Sequence, residues 1–143
     1  DCCHPRLPLD GVGLSHALQG LHQSAINMKN PALAYLWQYI VDMCKPYEKI
    51  MLKVKDEDGY HRLRTLSGRP FSAVVVQKKH VGLYAIALYE DPALAGPLEA
   101  ALIGKSCMGF RDENDPLLCE IPAYLERCLE YHVSTGEINI FPD

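Results

Sequence analysis

Three residues in this chain have side chains suited to nucleophilic chemistry: His80, Cys107 and Cys119. His80, in KKHVGLYAIAL, is a polar residue at the entrance to an apolar run, and Gly82 lets a neighbouring backbone or a ligand come close. A histidine so placed can act as a general base when a nucleophile faces it. It can equally be a solvated strand-edge residue beside Lys78 and Lys79. Cys119, in DPLLCEIPAYLERCLEYH, falls at the start of the last predicted helix, where free backbone N–H groups and the helix dipole favour a thiolate. The plainer alternative is a small buried residue at a helix start. Cys107, in IGKSCMGF, is a rival nucleophile: a predicted loop thiol with Lys105 nearby to lower its pKa. A Cys–His pair of either kind supports acyl transfer through a thioester.

A second set of residues carries charge. Lys53, Lys55, Arg62, Arg64, Lys78 and Lys79 cluster on a predicted hairpin and the strands after it, with Tyr47, Tyr60 and Tyr84 among them. A basic sheet face with aromatics can bind single-stranded nucleic acid, and an ordinary solvated sheet face has the same composition. The chain as a whole has 14 Lys+Arg against 18 Asp+Glu and a net charge of −4, which excludes a broadly basic nucleic-acid binder. Cys2 and Cys3 are too close for the usual zinc spacing, no CxxC occurs, and His16 and His22 are not on one helix face. No metal and no cofactor are expected.

The elements that must position these residues follow from periodicity. A length of 143 residues suits one domain over 1–143. Residues 1–12, with two prolines and a glycine, predict an extended arm, and 14–44 predict two helices. Ser15 caps the first, which runs to about Met28. Asn30-Pro31 starts the second, with Leu33, Leu36, Trp37, Ile40, Val41 and Cys44 on one stripe, and Lys45-Pro46 ends it. Over 47–89 the pattern turns to period two and predicts an antiparallel sheet of about four strands. Leu52 and Val54 alternate with lysines, Asp56–Gly59 turns, and Tyr60–Leu66 returns. Phe71–Gln77 and His80–Leu88 are apolar runs that read as buried central strands. Residues 92–143 predict a helical part, broken at Pro97, with a loop over Gly104–Asp115, a helix from about Pro122 to His132, and a short edge strand over Ile138–Phe141. The fold class predicted is α+β, with N-terminal and C-terminal helices packed on the sheet. No apolar run approaches the roughly 20 residues of a membrane span. Cys44 and Cys128 lie on apolar helix faces as small hydrophobes. With no secretory signal and unpaired thiols, a reducing, cytoplasmic compartment is expected, and the Asp1 start suggests a processed product.

Two of these segments together resemble a known family. HVGLY followed by an apolar strand resembles the H-box of the HRAS-like suppressor and lecithin:retinol acyltransferase family, and CEIPAYLERC resembles the Cys-Glu pair that opens a helix in that family's second motif. Picornavirus 2A proteins of the parechovirus and kobuvirus kind are similar to this family. The resemblance covers His80–Tyr89 and Cys119–Cys128. It implies a viral non-structural protein acting in genome replication or host interaction, in the host cytoplasm. It also implies thiol acyltransferase or lipid hydrolase chemistry, with membrane lipid a partner only if that chemistry is retained. In that mechanism His80 takes the proton of Cys119, the thiolate attacks an ester carbonyl, and the helix N-terminus stabilises the oxyanion. Leu118 stands where the family carries Asn, and Tyr89–Pro92 lacks the family's second His. Weak or lost catalysis therefore stays open beside an active enzyme. The alternative is a non-enzymatic module that contacts host or viral proteins, or single-stranded RNA, through the basic sheet face.

Overall fold

The structure, a computed structural model, describes residues 28–138. The predicted arm, the helix from Ser15 and the last edge strand fall outside these residues, Met28 and Ile138 apart. Asn30 opens the described chain as expected. Its side chain accepts from the Ala32 N–H, Pro31 follows, and one 3-10 turn (Pro31–Leu33) leads into helix α1, Ala34–Cys44. All six residues of the predicted apolar stripe are buried. A 3-10 turn over Lys45–Lys49 then carries the chain into the sheet.

Five strands form an antiparallel meander in chain order: β1 Leu52–Glu57, β2 Tyr60–Arg64, β3 Pro70–Val76, β4 Val81–Tyr84 and β5 Cys107–Phe110. The α+β class holds, with five strands in place of about four. Two boundaries differ from expectation. The run after His80 is strand only to Tyr84; Ile86–Glu90 turns helical (α2), so the apolar run spans two elements and reads as neither period alone. The segment expected as a loop contains β5, whose four residues are too short to show alternation. A 3-10 stretch over Pro92–Ala101 kinks at Gly96, and a second over Pro116–Glu120 leads into helix α3, Ile121–Ser134.

Helices α1 and α3 pack on one sheet face. His61, Leu63, Ser72, Val74, Leu83 and Met108 point into that layer and are buried. The Trp37 indole of α1 donates to the Val74 carbonyl at 2.8 Å, which ties the first helix to the central strand. From α3, Tyr124, Leu125 and Cys128 close the core. Among the described residues no helix is long and apolar enough to cross a membrane.

Candidate functional site

Strand register decides which side chains share the uncovered face, because neighbours along a strand alternate sides. Tyr60 pairs with Val75, Arg62 with Ala73, Val75 with Gly82, and Ala73 with Tyr84; Gly82 and Tyr84 in turn pair with Gly109 and Cys107. These rows run across the open face, and Lys55 joins them opposite Arg62. A bulge between Lys53 and Lys55 shifts the register of β1 by one residue. Lys53 therefore stands opposite Leu63 on the helical side, bound to Glu48 at 3.5 Å and Asp56 at 3.0 Å. Of the six basic residues singled out in the sequence, Lys55, Arg62 and Arg64 share the open face, Lys78 and Lys79 sit on the β3–β4 turn at its end, and Lys53 does not join them. All of β1 is exposed, so the Leu52 and Val54 alternation marks an edge strand rather than a half-buried one.

Charge and aromatic groups interleave on this face. The Arg62 guanidinium donates to the Tyr60 hydroxyl at 3.3 Å, and the Lys55 ammonium lies 5.8 Å from the Tyr60 ring centroid. Tyr60, Arg62, Ala73, Val75, Tyr84 and Ile86 line a cavity of about 440 Å³. Beyond Gln77 and Tyr84, which line both, a wider cleft of about 660 Å³ opens beside the β3–β4 turn and includes His80 and Cys107.

The cleft brings His80 and the rival nucleophile Cys107 to one place. Gly82 and Gly109 leave room on this face for the Tyr84 and Ile103 side chains that lie over them. A Cβ on Gly82 would lie 2.7 Å from the Tyr84 ring, and one on Gly109 would lie 3.4 Å from the His80 ring. Burial, and then the nearby Arg111 charge, hold the His80 imidazole below its usual pKa, so it stays a neutral base near neutral pH. Burial pushes the Cys107 thiol up, while the Tyr84 hydroxyl and the Leu83 backbone pull it back. Tyr84 is itself held from behind: Gln77 donates to its hydroxyl at 3.2 Å and accepts from Lys29 at 2.9 Å. Gln77 and Arg111 were missed as site residues; Tyr84 was named only among the aromatics of the basic face, and its spacing of two from Gly82 and His80 was the signal for its place in the cleft.

Cys119 lies in the 3-10 turn ahead of α3, half-buried. It is disulfide-bonded, so its sulfur is no thiolate while that bond stands. Cys44, Cys107 and Cys128 are free and buried. Burial pushes Cys44 up to about 12 and Cys128 up to about 11, so both are inert near neutral pH. Among the described residues no group of three metal-ligating side chains comes together. No family model matches this chain, and no curated protein or solved structure matches it.

Proposed function

We propose that the chain is a binding module that holds single-stranded RNA on the uncovered face of its sheet. The setting is the one the resemblance implies, a viral non-structural protein of the 2A H-box kind. One observation carries this reading: the register places Tyr60, Arg62 and Tyr84 on a single open face, with Lys55 and Arg64 alongside, while Trp37 of α1 and the buried Tyr124, Leu125 and Cys128 of α3 belong to the layer on the other side. Aromatic rings offer stacking surfaces to unpaired bases, and the interleaved cations meet the backbone phosphates. The negative net charge keeps non-specific binding low and confines affinity to this face.

The test is fluorescence anisotropy of a labelled single-stranded RNA oligomer at two salt concentrations. Tyr60→Ala should weaken binding by roughly 1–3 kcal/mol, the usual worth of one base–aromatic stack. Arg62→Ala should weaken it and lower the salt dependence by about one phosphate contact. Lys53→Ala makes the same charge change from the helical side and should leave binding as it was. Equal losses from Lys53→Ala and Arg62→Ala, or no binding at all, would defeat the proposal.

A second reading is favoured by the shared cleft of His80 and Cys107. There His80 takes the Cys107 proton, the thiolate attacks an ester carbonyl to form a thioester and expel the alcohol, and water then releases the acid. Its signature is iodoacetamide modification of Cys107 near neutral pH that slows in His80→Ala, with Cys44 and Cys128 unmodified in the native protein. A Cys107 rate indifferent to His80 removes the acyl chemistry.

A further inference from the structure

The cleft at the β3–β4 turn has an unusual charge balance. Lys29, Lys78, Lys79 and Arg111 line it together with His80, and no carboxylate is among its lining residues. The lysines of β1 are each tied to an acid: Lys53 to Glu48 and Asp56, Lys55 to Glu57. Lys78, Lys79 and Arg111 have no such tie among the described residues, although the chain has more acidic than basic groups. Like charges closer together than the Debye length of about 8 Å still repel at physiological salt. An anion seated between them would remove that repulsion.

The turn is also braced. Asn30, the cap of the 3-10 turn ahead of α1, donates its side-chain amide to the Lys78 carbonyl at 2.7 Å, and Gln77 N–H donates to the His80 carbonyl at 2.8 Å. The cations are thus presented by a fixed backbone. The cleft shares Gln77 and Tyr84 with the neighbouring cavity, whose walls include Pro70, Ala73, Val75 and Ile86. A cationic compartment therefore adjoins a mainly apolar one, with Tyr84 at the join.

We infer that this cleft binds a phosphate monoester whose organic part, a planar base or an aliphatic chain, enters the adjoining cavity. A monoester carries close to two negative charges near neutral pH and three acceptor oxygens, which suits several converging donors better than a diester does. The site adds the cleft's cations to a cavity whose Tyr60, Arg62 and Tyr84 walls also belong to the proposed RNA face, and variants outside that cavity tell the two apart.

The experiment is calorimetric and NMR titration of the full chain with four probes: inorganic phosphate, uridine, uridine 5′-monophosphate and monomeric dihexanoyl phosphatidic acid. At least one of the two monoesters should saturate the protein at least ten-fold more tightly than inorganic phosphate, with uridine weaker still. Lys79→Ala/Arg111→Ala should lose ten-fold or more while its amide spectrum stays native, and Lys45→Ala, on the helical layer, should bind normally. The His80 ring titration should move to higher pH on saturation, because the anion opposes burial and the Arg111 charge, which together disfavour its protonation. The tighter of the two monoesters identifies the source as nucleotide or lipid headgroup. Absent saturation by both monoesters, uridine binding as tightly as its monophosphate, monoesters no tighter than inorganic phosphate, affinity indifferent to Lys79 and Arg111, or an unmoved His80 titration would each overturn the inference. Loss of RNA binding in Lys55→Ala/Arg64→Ala, which line neither the cleft nor its cavity, with monoester binding retained would separate the two surfaces.

Discussion

Trp37 shows how one residue joins two layers. Its ring is buried in the α1 stripe and its indole N–H reaches the Val74 carbonyl in the central strand. Trp37→Phe keeps most of the apolar contact but leaves that carbonyl without its donor and opens a small void. A loss of about 1–3 kcal/mol is expected, read as a lower urea midpoint with an unchanged slope. His80 and Cys107 teach a different lesson at the same scale. Each was legible as chemically able, yet neither residue type reveals what it faces. Cys107, which lines the same cleft as His80, comes from β5, 27 positions along the chain, and Tyr84 was legible only as an aromatic of the basic face.

At the scale of elements, Asn30 couples a helix start to the site. It caps the turn before α1 through its side-chain oxygen and grips the Lys78 carbonyl through its amide nitrogen. Asn30→Asp keeps the cap and loses the grip, whereas Asn30→Ala loses both. The alanine variant should cost about 1 kcal/mol of stability from the cap alone, measured by thermal or urea unfolding. The aspartate variant should stay near wild-type stability yet loosen the β3–β4 turn, seen as faster amide exchange at Lys78–His80. The bulge in β1 is the other decisive local feature. A strict alternation read from Leu52 to Glu57 puts Lys53 and Lys55 on one face. One extra residue sends them to opposite faces, and no residue type in LKVKDE announces it.

At the scale of the whole molecule, the core carries a pH liability. His132 is buried on α3 between Phe71 and Tyr131, and both its ring nitrogens lack a hydrogen-bond partner among the described residues. Burial, and then the Arg69 charge, hold its pKa below the usual imidazole value, with Glu137 and Glu90 opposing weakly. The unfolded chain therefore binds this proton more readily than the folded one. Its contribution to stability is complete above the unfolded pKa and is lost as pH falls from about 6.5 toward the lower folded value. Wild-type stability should fall by up to about 1.4 kcal/mol per pH unit in that window. His132→Leu should flatten the slope above pH 5, where the depressed carboxyls of Glu48 and Glu90 stay ionised. Urea unfolding at half-unit pH steps reads both.

By itself the sequence determined the elements whose signals are local. Asn30-Pro31 and the stripe from Leu33 to Cys44 specify α1, Tyr124 to Cys128 specify α3, and Asp58-Gly59 between two alternating runs specifies the first hairpin. Each depends on neighbours within a few residues, so the pattern carries the answer. The tertiary structure alone decided the fifth strand, the side on which Lys53 lies, the helical turn after Tyr84, and the cleft that both His80 and Cys107 line while Cys119 is disulfide-bonded. Those outcomes depend on cross-strand register and on which face the helices cover. Register is set by pairing between segments far apart in the chain, and that information is absent from any single stretch of residues.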